Sequence, residues 1–289
     1  MQDSILTNAT DRALGLTVFD NLYALFRAMA KTLPEGKLLE GETISRHLTF
    51  PTNPMFKGVW KTHLSANEAD AAIDEAIAWF KAEGAPYFFW WTGGDSSPND
   101  LEERLAKHGM ISMAEQTQEL AKGILSTEQG SPCMVAELAR MDESLLTQTP
   151  KDFLINEIAD EPGLYDFKKV FIETYEIPEW AGQAWVDATI GIGKTPWRLF
   201  VGYLNKEPVA TNLLFNGAGV ASIYAIATVP SARGKGIRAA ITLKPLLEAR
   251  EQGYQYAVLF STEMGIHVYK RIGFRLTDIR INRYLWRNT

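Results

Sequence analysis

The sequence predicts an α/β chain built on a mixed sheet, and three observations carry that prediction. Short apolar, β-branched runs alternate with helical patterns along the whole length. Between Ile223 and Phe274 the order is strand, glycine-rich turn, helix, strand, helix. A fainter copy of helix, glycine and strand lies in the first half: Ala71 to Trp91, with Gly84, aligns with Ile241 to Phe260, with Gly253, and Leu105 to Met110 aligns with Tyr269 to Phe274. At 289 residues the chain has room for two domains. The polar, turn-rich stretch from Lys122 to Ser131 is the expected linker, which divides the chain into 1–128 and 129–289.

Composition bounds the function. Hydrophobic residues at 46% and charged residues at 22% support a sizeable core. A formal net charge of −6 argues against a general nucleic-acid binder. Met1-Gln2-Asp3-Ser4 does not begin a leader, and no apolar run reaches about eighteen residues, so a cytoplasmic protein with no membrane partner is expected. The single cysteine, Cys133, permits no intrachain disulfide, which fits a reducing compartment.

Taken in order, residues 1 to 10 are polar and small and read as a loosely held arm. Val18, Phe19, Leu22, Leu25, Phe26 and Met29 have helical spacing, so Thr17 to Lys31 is a helix with one buried face, ended at Pro34-Glu35-Gly36. His47 to Phe50 and Phe56 to Trp60 read as short strands around a Pro51 to Pro54 turn. A second helix, Glu68 to Ala82, stops at Gly84. Tyr87-Phe88-Phe89-Trp90-Trp91 has the β propensity of a central strand, and its alternate residues face both sides, which favours core over a ligand-stacking patch. Asn99 to Lys107 is a helix stopped at Gly109.

Cys133 to Leu138 opens the second half as a strand. Phe153 to Tyr175 and Trp180 to Ile190 read as helices, broken by Pro162-Gly163 and Pro178. Trp197 to Tyr203 and Val209 to Asn216 form a hairpin, and Ile223 to Val229 is a buried strand closed by Pro230. Ala240 to Gln252 is a helix stopped at Gly253. Pro245 within it should leave the Ile241 carbonyl unpaired and kink the helix, at about 3 kcal/mol in a regular interior.

The turn Ser231-Ala232-Arg233-Gly234-Lys235-Gly236-Ile237-Arg238-Ala239 carries the chemistry. Unpaired N–H groups at a helix start point outward, the dipole favours negative charge, and glycines let a phosphate approach the main chain. Taken alone, the turn is equally compatible with a tight connection that needs its glycines. It lacks the Gly-Lys-Ser/Thr of a Walker A loop and the third glycine of a dinucleotide fingerprint. In context, Val229-Pro230-x-x-Arg233-Gly234-Lys235-Gly236 resembles the acetyl-CoA pyrophosphate loop of the GNAT superfamily of N-acetyltransferases. Gly265-Ile266-His267-Val268-Tyr269-Lys270-Arg271-Ile272-Gly273-Phe274 resembles that superfamily's second signature, a helix ending in Tyr-x-x-x-Gly-Phe. The resemblance covers roughly residues 130 to 289. Through the internal repeat the chain resembles two GNAT-type halves in tandem. In the first half the loop falls near His63 to Asn67, without glycine, and the tyrosine position falls on Leu105, so that half is expected to be non-catalytic.

The resemblance implies acetyl-CoA as cosubstrate, held by Arg233, Gly234, Lys235, Gly236, Ile237, Arg238 and Ala239. Main-chain groups of Ala227, Thr228 and Val229 would meet the pantetheine arm and the thioester carbonyl. Arg238 departs from the pattern, which has a small residue there. It is either a charge-assisted contact to a CoA phosphate or a solvated arginine on the first helical turn. Tyr269 matches the tyrosine of the second motif and is the implied general acid for the leaving thiolate, a phenol being a reasonable proton donor to so basic an acceptor.

The superfamily often has a glutamate on the strand before the loop, yet Ile223 to Val229 holds none. Tyr224, Glu173, Tyr175, Glu176, Glu263 and His267 are the remaining candidate bases, each more simply a surface charge, a cap or a packed ring. None is needed if the amine arrives partly deprotonated. His47, His63 and His108 lack partners at metal-ligand spacing, so no metal site is expected. Cys133 reads as a structural thiol, and no Gly-x-Ser-x-Gly elbow is present.

The expected activity is acetyl-CoA-dependent transfer of an acetyl group to a primary amine of a small molecule or peptide, by direct attack. The acceptor cleft should lie near the junction of the halves, walled by Trp180, Trp185 and the aromatic strand. Two alternatives stand beside it: a non-catalytic acyl-CoA-binding module, and aminoacyl or long-acyl transfer. The acidic balance hints at a cationic, polyamine-like acceptor, although exposed carboxylates also serve solubility.

Overall fold

The structure, a computed structural model, describes residues 4–33, 35–49, 56–113, 130–193 and 196–288. Pro34, the Pro51 to Pro54 turn, most of the Lys122 to Ser131 linker and the boundary at 128/129 lie outside the described residues.

Helix α1 (Asp11–Thr32) starts at Thr10, whose hydroxyl accepts from the Ala13 N–H at 3.2 Å. It buries the face that the spacing predicts, from Val18 and Phe19 to Met29. Strands β1 (Lys37–Glu40), β2 (Ser45–Leu48) and β3 (Lys57–Trp60) follow, then α2 (Ala69–Ala82), β4 (Tyr87–Gly93), α3 (Leu101–Lys107) and the short β5 (Ile111–Ser112). The second half runs β6 (Ser131–Glu137), β7 (Phe153–Ile158), α4 (Glu161–Tyr175), α5 (Glu179–Ile192), β8 (Trp197–Leu204), β9 (Glu207–Gly217) and β10 (Val220–Thr228). It ends with α6 (Ile237–Glu251), β11 (Tyr256–Phe260), α7 (Glu263–Ile272) and β12 (Arg275–Arg287).

These strands form one mixed sheet in the order β1-β2-β3-β4-β12-β6-β11-β10-β9-β8-β7, with β5 beside β12. Among the described strands the parallel pairs are β3 with β4 and β10 with β11. Each pair is joined through a helix, α2 or α6, because parallel neighbours need a crossover. That correspondence is the internal repeat of the sequence. β12 lies between the halves: Ile281 to Arg287 register with Gly93 to Tyr87, while Arg275 and Leu276 register with Val135 and Met134. Helix α1 covers β6, β9, β11 and β12, so the first half also packs on the second half's sheet. Among the described residues no helix is long and apolar enough to cross a membrane.

Three expectations are corrected. Phe153–Ile158 is an edge strand on β8, and the helix begins only at Glu161. Asp160 caps it, accepting from the Gly163 N–H at 3.1 Å, and Pro162 sits in the first turn, where no N–H is required. The amino-terminal arm is held: the Leu6 N–H donates to the Gly219 carbonyl at 3.0 Å, and Ile5 and Leu6 pack on the core. Helix α6 continues through Pro245, and the carbonyl that the proline leaves is met by a side chain of β9.

Candidate functional site

Strand β10 registers with β11 at Ala221/Ala257 and Ser222/Val258 and no further. Past that point it bulges between Tyr224 and Ala227, with Ala225 at φ 49°. A cavity of about 690 Å³ opens there, walled by β10, the following turn, the start of α6, the end of β11, and α4, α5 and α7.

One end of this cavity suits an anion. Gly234 and Gly236 have φ of +74° and +75°, a left-handed region that glycine enters without strain. A side chain on Gly236 would also meet the Gln148 carbonyl oxygen at 2.7 Å. No side chain caps α6, and the first N–H to bond back is that of Ala240, to the Gly236 carbonyl at 3.1 Å. The N–H groups of Ile237, Arg238 and Ala239 are therefore left without intrahelical partners, and all three residues line the cavity. Arg233 folds back so that Nε donates to the Thr228 carbonyl at 3.2 Å. Arg271 of α7 joins the rim and donates to the Gln148 side chain at 3.2 Å. Free donors, a helix dipole and two cations fit a phosphate group.

The equivalent place in the first half carries an acid instead. The Glu68 carboxylate accepts from the N–H and the hydroxyl of Ser65, at 3.2 and 2.6 Å, and so puts a negative charge at the start of α2. Trp60 and Trp91 are buried beside β3 and β4, and Tyr23 stacks on Trp60 with ring centroids 5.0 Å apart.

The other end of the cavity holds Tyr269, which is buried. Gly265, four residues back on α7, leaves space for its ring; a Cβ there would come within 2.9 Å of it. Phe274 meets the ring edge-on at 5.9 Å. Arg238 is half-buried and turned inward, its guanidinium carbon 5.8 Å from the Tyr269 ring centroid. Burial opposes its charge, but Tyr269 and then Tyr175 outweigh that and raise its pKa.

The candidate bases separate clearly. Tyr175 lines the cavity, but its hydroxyl donates to the Ile226 carbonyl at 2.7 Å and burial pushes its pKa up to about 12. Tyr224 donates to Oδ1 of Asn21 at 2.8 Å, and burial raises it further. Glu173, Glu176, Glu263 and His267 are exposed and lie outside the lining.

Of the residues singled out by the motifs, Thr228, Arg233, Gly234, Gly236, Ile237, Arg238, Ala239 and Tyr269 line the cavity. Ala227, Val229 and Lys235 do not: Ala227 is buried, the Val229 N–H is taken by the Val209 carbonyl at 3.0 Å, and Lys235 is exposed. Trp180 and Trp185 contribute walls, as expected. The aromatic strand of the first half does not, which corrects that expectation; β12 and β6 lie between β4 and β11, and Trp91 only backs Phe260, with centroids 6.3 Å apart. Phe171, Ser261, Thr262 and Arg271 also line the cavity without having been anticipated. Arg271 alone carried a signal, as a cation within the second motif.

A parallel strand pair that parts over an uncapped, glycine-started helix defines the class: the chain has the fold of the GCN5-related N-acetyltransferases. Solved structures match it over nearly its whole length. A GCN5-related N-acetyltransferase from Kribbella flavida is 14% identical with a TM-score of 0.67, covering 93% of this chain and 94% of that one. One from Sphaerobacter thermophilus is 12% identical with a TM-score of 0.60, covering 86% and 82%. A tandem GNAT protein from the clavulanic acid biosynthesis pathway is 11% identical with a TM-score of 0.59, covering 98% and 97%. No protein-family model matches the chain, and no curated protein matches its sequence. At these identities the likeness is one of fold.

Proposed function

We propose that the chain is an acetyl-CoA-dependent N-acetyltransferase acting on a primary amine of a small molecule or peptide. Its site lies in the second half, 129–289, and the first half, 1–128, is a non-catalytic scaffold. One observation carries the reading: the uncapped start of α6 and the buried phenol of Tyr269 open into the same cavity. A bound acetyl-CoA would supply an activated acyl carbon and a thiolate leaving group. The free N–H groups of Ile237, Arg238 and Ala239, with Arg233 and Arg271, would hold its phosphates. The apolar wall of α4 and α5 keeps water from the reacting end. As the N–C bond forms and the C–S bond breaks, the Tyr269 hydroxyl gives its proton to the sulfur, the amine proton passes to solvent, and solvent restores the proton of Tyr269.

A second reading, an acyl-CoA-binding module without chemistry, is favoured by the absence of Asp, Glu or His from the lining among the described residues. Calorimetric titration with acetyl-CoA tests the shared part. Saturable binding is expected, weakened about tenfold or more by Arg233→Ala and by Gly236→Asp. A folded protein that binds no acetyl-CoA would overturn both readings. Thiol release in the presence of amines then separates transferase from module.

A further inference from the structure

The identity of the acceptor can be narrowed, given the acyl-CoA reading above. Three cations line the cavity, and among the described residues no carboxylate does. Arg233 and Arg271 stand on the rim beside the free N–H groups of α6. Arg238 is at the opposite, reacting end, its guanidinium against Tyr269 and its Nε buried without a hydrogen-bond partner. Other arginines of the chain are matched by acids: Arg198 by Glu157 and Glu248, Arg104 by Asp70 and Asp100, Arg275 by Asp11. The groups that act on Arg238 are tyrosines, Tyr269 and Tyr175. Drawing a cation out of water without a counter-charge is costly, so an inward-turned guanidinium in an apolar cavity is a place for an anion. A thioester is uncharged and the phosphates belong at the rim, so the anion at this end comes with the acceptor.

We propose that the acceptor is an amino acid or related aminocarboxylate with an apolar or aromatic body. Its carboxylate sits on Arg238 and its body against Trp180 and Trp185, which leaves the amine free for acylation. The product is an N-acyl amino acid. A polyamine fits poorly, since its ammonium groups would meet three arginines and no carboxylate. The acidity of the whole chain therefore does not extend to its cavity.

Matched pairs that differ only in the carboxylate test this on the full chain: phenylalanine against phenethylamine, leucine against isopentylamine, with spermidine as the polyamine. Thiol release with acetyl-CoA gives kcat/KM, and calorimetry on the same preparation gives acetyl-CoA binding. The acid of each pair should exceed its amine by about tenfold or more. Arg238→Gln, which keeps the main-chain N–H offered to the phosphates, should bring that ratio close to one, whatever it does to the absolute rates. Trp180→Ala should raise KM for both members alike. Preference for the amines or for spermidine would overturn the proposal. So would an Arg238→Gln variant that loses acetyl-CoA affinity but keeps its acceptor ratio, because the guanidinium would then serve a CoA phosphate. If acetyl-CoA binds and no acid of the panel is acylated, only this inference falls; if wild type binds no acetyl-CoA, the acyl-CoA reading falls and takes it along.

Discussion

Nδ2 of Asn212, on β9, donates to the Ile241 carbonyl of α6 at 2.8 Å. Ile241 stands four residues before Pro245, so its carbonyl has lost the N–H that a regular helix would offer. Asn212 is fully buried, and the amide replaces what the proline removed. Asn212→Leu is expected to cost about 1–3 kcal/mol, measured by urea unfolding, because it strands a buried carbonyl. Pro245→Ala in that background should recover part of the loss by restoring an N–H at the right place. Strict additivity of the two changes would show that they do not act on the same carbonyl.

Tyr269→Phe keeps the ring over Gly265 and the contact with Phe274 and removes the hydroxyl, and with it the proton donor and its interaction with Arg238. We expect kcat to fall about a hundredfold or more, with thermal midpoint and acetyl-CoA binding nearly unchanged. An unaltered kcat would assign the thiolate's proton to another source.

His47 and Lys57, on neighbouring strands β2 and β3, are both fully buried. Burial pushes His47 from 6.5 down to about 3 and Lys57 from 10.5 to about 7. Both are bases kept neutral by folding, so in the interval between the two values the unfolded chain binds the extra proton. Stability should therefore rise with pH twice, from about 3 to 6.5 through His47 and from about 7 to 10.5 through Lys57. The slope is at most about 1.4 kcal/mol per pH unit for each. His47→Gln, which keeps an acceptor for the Trp60 indole N–H, should flatten the acid limb, and Lys57→Met the alkaline one. Urea midpoints measured across pH decide this; an alkaline limb as steep in Lys57→Met as in wild type would contradict it.

Asn21 of α1 accepts from the Tyr224 hydroxyl at 2.8 Å and donates to the Gly217 carbonyl at the same distance. Asn21→Ala should cost about 1–3 kcal/mol. In a Tyr224→Phe background the loss should shrink, since one of its partners is already gone; the Gly217 and Val220 carbonyls remain. An equal loss in both backgrounds would place the whole effect on the Gly217 and Val220 carbonyls.

Much of this was legible beforehand. The helix from Val18 to Met29, the Gly84 and Gly253 stops and the β10-turn-α6 unit follow from local patterning, which is what a sequence displays. The two motifs around Gly236 and Tyr269 fall on one cavity. The stretch Phe153 to Ile158 reads as helix because Pro162-Gly163 looks like a break inside one, whereas the acidic N-cap Asp160 followed by Pro162 is how a helix begins. The inward turn of Arg238 was hidden for another reason. It depends on a ring carried by α7, and contacts between distant elements leave no period in the chain. The Asn212 bond to α6 is of the same kind.

The shared strand has a consequence for how the chain comes into being. β4 ends at Gly93, whereas the strand that covers its edge starts at Arg275. On the ribosome, the first half would emerge with that aromatic edge bare and must wait for nearly everything else to be made. An open edge invites pairing with other chains, and closure across so long a loop is slow. The sharing is thus a one-way interlock: the first half is closed only by a strand that belongs to the second, whereas the second carries all of its own strands.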